Sequence, residues 1–166
     1  MTRDDAITLV LMRHGVAEDP DARETDSARE LTPEGLAAAG AAARGLVALG
    51  VRPDIVVSSP LIRCEQTAAL VAQAAGCDLE RDVRLSPGMT ADDLLQIVIE
   101  HPGARTIVCC SHQPGLTYAL DAITNCGDVA FGRPQAAVVA LHAPRMGGGA
   151  LIALLPPAML RRAAPR

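Results

Sequence analysis

The stretch ITLVLMRHG, residues 7–15, joins an apolar run to three residues of different chemistry. The run from Ile7 to Met12 is rich in branched side chains, which predicts a strand buried on both faces of a sheet. Arg13 and His14 follow at once, so they lie just past the end of that strand. The stretch therefore predicts a buried strand with polar side chains at its carboxyl end.

Two later apolar runs end in the same way. Asp54–Val57 is followed by Ser59, and Thr106–Cys110 is followed by Ser111 and His112. Capping residues and helix stops separate these strands. The predicted helices begin after the cap Thr32 and end at Gly50, begin at Ser59-Pro60 and stop near Gly76, run from Thr90 to about Glu100, and run from Pro114 toward Asn125.

The rest of the pattern completes the sheet. Residues 82–85 are predicted to form a brief strand, and residues 136–141 and 150–155 two apolar strands joined by a hairpin over 144–149. Strands that alternate with helices imply a three-layer α/β/α fold with a mostly parallel, roughly six-stranded sheet. No internal repeat or linker is present, so we expect a single domain over residues 1–166. The side chains expected to face inward from the helix after Thr90 are Leu94, Leu95, Val98 and Ile99.

In such sheets ligands bind beyond the carboxyl ends of the strands, where these polar residues should converge. Arg63 lies in the first turn of its helix, and a long polar loop over residues 16–30 carries Asp26 and Arg29 near its close. An arginine fork binds two phosphate oxygens at once, and a histidine can act near neutral pH as nucleophile, base or donor. The set predicts a phosphoryl-transfer site for which we expect neither a metal nor a cofactor.

Composition argues against several other functions. The net charge of −4 and the pI near 5.5 argue against a surface for nucleic acid or an anionic membrane, where a basic face is expected, so any basic patch must be local. Tyr118 and Phe131 are the only tyrosine and phenylalanine, and tryptophan is absent, so no platform for stacking bases is available. The triple glycine at 147–149 is a turn, because it lacks the lysine, the hydroxyl residue and the helix of a nucleotide loop.

The five cysteines are an odd number without the paired spacing of zinc or redox motifs. Cys109 and Cys110 fall in a strand that should be buried, and Cys64 is expected to be a small buried side chain on a helix. The amino terminus has no signal-peptide pattern, and the chain has no apolar stretch of about eighteen residues. We therefore expect a cytoplasmic protein that binds neither membranes nor nucleic acid.

Five short motifs follow one another along the chain: LMRHG at 11–15, RELT at 29–32, VSSPLIRCEQTA at 57–68, SPGM at 86–89 and SHQP at 111–114. In order and spacing, and nearly from end to end, they resemble those of the SixA-type phosphohistidine phosphatases of the histidine phosphatase (phosphoglycerate mutase-like) superfamily. The resemblance implies that His14 is phosphorylated and then hydrolysed, and that the side chains that bind phosphate are Arg13, Arg63 and His112. It places Asp26 and Arg29 near the pocket. We add Gly15 and Ser59 to the phosphate-binding set.

Many relatives that act on phosphate esters use a carboxylic acid to protonate the leaving alkoxide, and no clear match for that acid follows residues 86–88. Asp92 and Asp93 are nearest, but acids in the first turn of a helix also serve simply to complement its dipole. An imidazole leaves far more easily than an alkoxide and asks less of an acid catalyst. The expected substrate is therefore phosphohistidine on a partner protein, such as a phosphotransfer domain.

Two alternatives remain open. The first is hydrolysis of a small phosphomonoester, a phosphorylated metabolite, with Asp92 or Asp93 as the acid. The second, of another class, is a non-catalytic module that binds phosphate without turnover, against which the intact His14 argues. Substitution of each aspartate would discriminate the first, and a trapped phospho-His14 would exclude the second.

Overall fold

Six strands form one mixed sheet across residues 6–165, which are the residues that the computed structural model describes. Their order in the sheet is β3-β2-β4-β1-β5-β6. The first four strands in this order run parallel, and β5 and β6 are antiparallel to their neighbours. The strands are β1 (Ile7–Arg13), β2 (Ile55–Ser58), β3 (Asp78–Arg81), β4 (Thr106–Ser111), β5 (Ala136–Leu141) and β6 (Gly149–Leu155).

The register brings the carboxyl ends of the central strands level. Arg13, the last residue of β1, lies opposite Ser111, the last residue of β4. On the other side of β4, Ser58 of β2 lies opposite Cys110. The residues that follow these three strands therefore emerge side by side at one edge of the sheet, as the strand-end motifs predicted.

Helices cover both faces of the sheet, so the three-layer α/β/α prediction is confirmed. Side chains of β1 alternate between the two cores, with Leu9 and Leu11 in one and Val10 and Met12 in the other. The first core is closed by α3 and α4, and the second by α1, α2 and α5. The helices are α1 (Pro33–Ala48), α2 (Ile62–Ala75), α3 (Ala91–Glu100), α4 (Gly115–Thr124) and α5 (Pro157–Ala163).

The predicted helix starts correspond to observed caps. The Thr32 side chain accepts a hydrogen bond from Gly35 N at the start of α1, and Thr90 forms a reciprocal capping box with Asp93 at the start of α3. Each bond satisfies a backbone N–H group that the helix itself leaves without a partner. At the other end of α2, Gly76 takes the left-handed conformation, with a φ of 71°.

Two local predictions are wrong. Residues 82–85 do not form a strand, because the Asp82 carboxylate accepts a hydrogen bond from Arg84 N and begins a 3₁₀ turn over Val83–Leu85. The strand at this edge is β3, whose mainly exposed polar side chains give no apolar signal. In α3, Ile99 was expected to face the core but is 50% exposed. Ile97 is buried in its place, because it lies on the same helix face as Leu94 at a spacing of three.

No helix within residues 6–165 is long and apolar enough to span a bilayer.

Candidate active site

A pocket of about 270 Å³ opens at the carboxyl ends of β1, β2 and β4. Elements distant in the sequence build it: the ends of the strands, the loop before α1, the start of α2 and the segment before β5. The residues that line it are Arg13, His14, Asp26, Arg29, Arg63, Pro87, His112, Gln113 and Arg133. The pocket therefore brings together Arg13, His14, Arg63 and His112 with the loop pair Asp26 and Arg29, as predicted.

His14 is buried beneath this opening, with 6% of its surface exposed. Its Nδ1 lies 2.7 Å from the carbonyl oxygen of Gly15, and because a carbonyl only accepts, Nδ1 carries the proton and donates it. Burial, followed by the influence of His112, Arg63 and Arg133, lowers the pKa of His14 to about 3, although the bond to Gly15 opposes this shift. The imidazole is therefore neutral near pH 7, and its Nε2 has a free lone pair.

The backbone of Gly15 holds the His14 imidazole in this tautomer. Its N–H donates to Thr67 Oγ1 at 3.0 Å, and its carbonyl holds the His14 tautomer. Gly15 is not among the residues that line the pocket, so its observed role is to support His14, and its part in phosphate binding stays a prediction.

Arg63 is almost fully buried, and the loop before α1 reaches it. Its guanidinium donates to the carbonyl oxygen of Asp26 at 2.7 Å and to Asp26 Oδ2 at 2.9 Å. The other carboxylate oxygen, Oδ1, accepts from Arg29 at 2.7 Å. One carboxylate thus bridges two guanidinium groups, and the hydrogen bond from Arg29, followed by that from Arg63, lowers the pKa of Asp26. Arg29 also donates to the carbonyl oxygen of Glu18, which ties both ends of the loop together.

His112 lies with its ring centre 5.2 Å from that of His14. Its Nδ1 is 3.4 Å from the Arg63 guanidinium, which can only donate, so Nδ1 accepts. Its Nε2 then carries the proton and faces Ser59 Oγ at 2.9 Å. Ser59 does not line the pocket, so its contact in the structure is with His112 rather than with the opening.

Cys64 approaches the same nitrogen, with its Sγ 3.4 Å from His112 Nε2. The thiol is fully buried, as expected for a small core side chain, and it also contacts the Ser111 carbonyl. Burial alone would raise the pKa of this thiol, but hydrogen bonds with Cys110 and His112 and the charge of Arg63 outweigh burial and lower the pKa. Cys64 therefore belongs to the surroundings of His112, a contact that its helical position did not indicate.

Arg13 and Arg133 form the remaining wall. Arg13 donates to the carbonyl oxygen of Phe131 at 2.5 Å, and burial, followed by the charge of Arg133, lowers its pKa. Arg133, Gln113 and Pro87 were not predicted as site residues. Gln113 and Pro87 fall inside two of the quoted motifs and could have been found there. No sequence pattern indicated Arg133, because the segment before β5 reaches the pocket only through the tertiary fold.

The structure does not bring Asp92 and Asp93 to the pocket. The Asp93 carboxylate accepts from Thr90 N at 2.9 Å and from Thr90 Oγ1 at 2.7 Å, so it is engaged in the capping box. Asp92 is exposed in the first turn of α3. These positions match the interpretation of both acids as helix-start residues. Within residues 6–165 no group of three or more His, Cys, Asp or Glu side chains has the arrangement of a metal site.

Comparison with known proteins gives a family match over the first half of the chain. Residues 9–86 match the profile of the histidine phosphatase superfamily (branch 1). An uncharacterized chloroplast protein of Arabidopsis thaliana is 31% identical over an alignment of 119 residues, with 64% of this chain and 54% of that protein covered. The match thus spans about half the length of that curated relative.

Solved structures match the fold over almost the whole chain. The protein histidine phosphatase SixA in complex with tungstate has a TM-score of 0.83 at 24% identity, covering 93% of this chain and 99% of that one. A candidate phosphohistidine phosphatase SixA from Nakamurella multipartitia gives 0.77 at 26% identity, with 90% and 95% covered. A phosphoserine phosphatase mutant from Entamoeba histolytica gives 0.70 at 18% identity, with 93% and 99% covered. The motif resemblance is thus confirmed: residues 9–86 of this chain are similar in sequence to the histidine phosphatase superfamily, and its fold is similar to that of SixA-type phosphatases.

Proposed function

We propose that the protein is a phosphatase that hydrolyses phosphohistidine on a partner protein through a phosphorylated His14. The observation that carries this proposal is the state of the His14 ring. Its Nδ1 donates to the Gly15 carbonyl, its pKa is lowered to about 3, and it lines a pocket with four arginines. An unprotonated Nε2 beside several guanidinium groups is the arrangement that a nucleophile attacking a phosphoryl group requires.

The reaction would proceed in two transfers. In the first, the Nε2 lone pair of His14 forms a bond to phosphorus, and the bond from phosphorus to the substrate's imidazole nitrogen breaks. The departing imidazole keeps that electron pair and takes a proton from solvent. In the second, a water oxygen attacks the phosphorus of phospho-His14 and loses its proton to solvent, and the bond from Nε2 to phosphorus breaks. Orthophosphate leaves and His14 returns to its neutral form.

The remaining predicted residues would stabilise the phosphoryl group during transfer. Arg13 and Arg63 are the groups from which hydrogen bonds to its oxygens would come, and His112 would add one from Nδ1 when a proton on that nitrogen replaces its contact with Arg63. Ser59 would set the orientation of His112, as its 2.9 Å contact suggests. Asp26 and Arg29 would hold Arg63 and the loop in position. No step in this scheme requires a metal ion or a cofactor.

The acids near the pocket support phosphohistidine over an ester. Among the described residues, the carboxylate that lines the pocket is Asp26, and its two arginine partners lower its pKa. Asp26 therefore holds no proton near pH 7 and cannot donate one to a leaving alkoxide. An imidazole leaving group needs less help from a catalytic acid, so a phosphoramidate fits this pocket better than an ester.

Hydrolysis of a small phosphate ester is the second candidate, and the similarity in fold to a phosphoserine phosphatase favours it. In that case an acid would have to reach the leaving oxygen. Asp92 is the exposed carboxylate that follows the motif at residues 86–88 most closely in the sequence. A purely phosphate-binding module is less consistent with a neutral His14 whose tautomer is fixed.

The test is turnover of a phosphohistidine peptide beside para-nitrophenyl phosphate, in the presence of EDTA, with His14→Ala as the control. The proposal expects rapid loss of phosphate from the peptide, slow cleavage of the ester and an inactive variant. Efficient cleavage of the ester would favour the second candidate. Binding of the peptide without turnover by the wild-type protein would favour the binding module.

A further inference from the structure

We infer that Arg133 is a specificity residue that binds a carboxylate of the substrate lying beside the phosphoryl group. The inference rests on the proposed function of the pocket and extends it to a second anionic group of the substrate. The carboxylate could belong to an acidic side chain near a phosphohistidine or to a small phosphorylated acid. The chemistry recognised is the same in both cases, and the experiment below separates them.

The segment that carries Arg133 is fixed to the sheet on both sides of this residue. The Phe131 carbonyl accepts from Arg13, and the Gln135 carbonyl accepts from Arg13 N at 3.0 Å. The buried Gln135 amide closes the segment by accepting from Gly132 N at 3.0 Å and donating to the Ala130 carbonyl at 3.2 Å. Arg133 therefore stands on an anchored turn and not on a free loop, so its backbone is already positioned for binding.

Among the described residues, Arg133 differs from the other three arginines of the pocket in having no hydrogen-bond or ion-pair partner. Arg29 and Arg63 share the Asp26 carboxylate, and Arg13 donates to a carbonyl. Within residues 6–165, Arg133 makes no hydrogen bond or ion pair. Its exposed guanidinium is thus available to a ligand, and its charge acts on the groups inside, since it contributes to the lowered pKa of both His14 and Arg13.

The charge of the pocket exceeds what a phosphoryl group alone would balance. Four guanidinium groups and one carboxylate line it, which leaves three positive charges even when both histidines are neutral. A phosphoryl dianion would compensate two of them. One further negative charge completes the balance, and a carboxylate matches the planar fork of an arginine in a bidentate pair.

The depth of each arginine in the pocket indicates which one binds the phosphoryl group and which one binds the carboxylate. Arg63 and His14 are buried at the base of the pocket, where the phosphoryl group must lie for attack by Nε2. Arg133 is exposed at the rim. The group that reaches Arg133 is therefore a neighbour of the phosphoryl group, further from the point of attack.

The experiment compares substrates that differ in one carboxylate. Two phosphohistidine peptides carry Asp or Asn beside the phosphohistidine, and O-phosphoserine is compared with O-phosphoethanolamine, at low and constant ionic strength. The variants are Arg133→Gln and Arg133→Lys, which keeps the charge but loses the planar fork. The matched control is Arg145→Gln, an exposed arginine in the turn between β5 and β6 whose hydrogen bond goes to the Met146 carbonyl.

Arg133→Gln should lower kcat/KM about tenfold for the substrates with a carboxylate and less than about twofold for those without, as expected for loss of a hydrogen bond between charged groups. Arg133→Lys should retain part of the preference, and Arg145→Gln should change neither value. A selective loss with the peptides identifies a protein substrate, and a selective loss with phosphoserine identifies a small acid.

Equal losses for both members of each pair would overturn the inference, because Arg133 would then act on the phosphoryl group itself. No loss for any substrate would also overturn it. Binding of the same four compounds to His14→Ala protein, with and without Arg133→Gln, gives a readout that does not depend on turnover. If the protein hydrolyses none of them but Arg133 still selects the carboxylate in binding, the proposed phosphatase function fails while the role of Arg133 stands.

Discussion

Gly35 on α1 is a position where one methyl group should disturb the site from a distance. A Cβ at Gly35 would lie 2.0 Å from the Val16 carbonyl oxygen, where real contacts essentially never fall below 3.0 Å. The helix and the Val16 backbone must therefore separate by about 1 Å. Val16 follows the His14-Gly15 pair directly, and its carbonyl also accepts a hydrogen bond from Thr32 N. A displacement there moves the residues that hold the His14 tautomer.

Gly35→Ala should lower kcat/KM about a hundredfold, since a misplacement of about 1 Å at a reacting group can cost that much. It should also destabilise the fold by about 1–3 kcal/mol, the usual cost of forcing extra volume into a packed position. The measurements are steady-state kinetics on a phosphohistidine peptide and unfolding in urea.

Two glycines on the same helix supply matched controls. At Gly40 the nearest atom to an added Cβ is Arg44 Nη1 at 3.5 Å, an ordinary contact, so Gly40→Ala should stabilise by about 0.5–1 kcal/mol and leave activity unchanged. At Gly45 the added Cβ would lie 1.9 Å from the Leu160 carbonyl oxygen, so Gly45→Ala should destabilise the packing of α1 on α5 while kcat/KM is retained. Gly35→Ala protein with wild-type kcat/KM and raised stability would refute the reasoning.

Further predictions concern the acids, the histidine and the partners of His112. Asp93→Ala should lower the free energy of unfolding by about 1 kcal/mol, because Thr90 N and Thr90 Oγ1 lose their acceptor. Asp92→Asn should leave both stability and peptide hydrolysis unchanged. A large loss of activity in either variant would identify a catalytic acid. Folding lowers the pKa of His14 from its ordinary 6.5 to about 3. Between these two pH values the imidazole is protonated in the unfolded chain but not in the folded one. The free energy of unfolding of the wild-type protein should therefore decrease relative to that of His14→Gln as the pH is lowered from 6.5 toward 3. Urea unfolding of both proteins across that pH range measures the difference in free energy of unfolding. A difference that does not change with pH would contradict the claim that burial lowers the pKa of His14. Ser59→Ala should reduce kcat about tenfold through loss of a buried hydrogen bond. Cys64→Ala should reduce kcat less than about threefold, because the contact of its sulfur with His112 is longer and sulfur is a weak hydrogen-bond partner. A larger loss for Cys64→Ala than for Ser59→Ala would make the thiol the main support of His112.

The central strands could be predicted from the sequence because both of their faces are buried. β1, β2 and β4 contact a core on each side, so they appear as uninterrupted apolar runs. The edge strand β3 was missed for the same reason, since its exposed side chains carry no such signal. Ile99 was assigned to the core from its apolar character, but the helical period places it on the outer face of α3.

The site residues that could be predicted are those that follow the ends of strands or lie within the quoted motifs. His14, Arg63 and His112 meet because parallel strands place their carboxyl ends at one edge. The acceptor of the His14 proton could be expected as a backbone carbonyl, but the choice of Gly15 depends on ring orientation. Arg133 reaches the pocket through the hydrogen bonds of its segment to β1, which join residues more than a hundred positions apart.

The most direct test of the account is to locate the phosphoryl group on the protein itself. Wild-type protein is mixed with a peptide carrying labelled phosphohistidine, quenched in alkali within milliseconds and mapped by mass spectrometry, with NMR to identify the modified nitrogen. The account predicts a phosphoryl group on Nε2 of His14, because Nδ1 donates to the Gly15 carbonyl. Label on Nδ1, on His112 or on Cys64, or phosphate release with no labelled protein at any time, would contradict it.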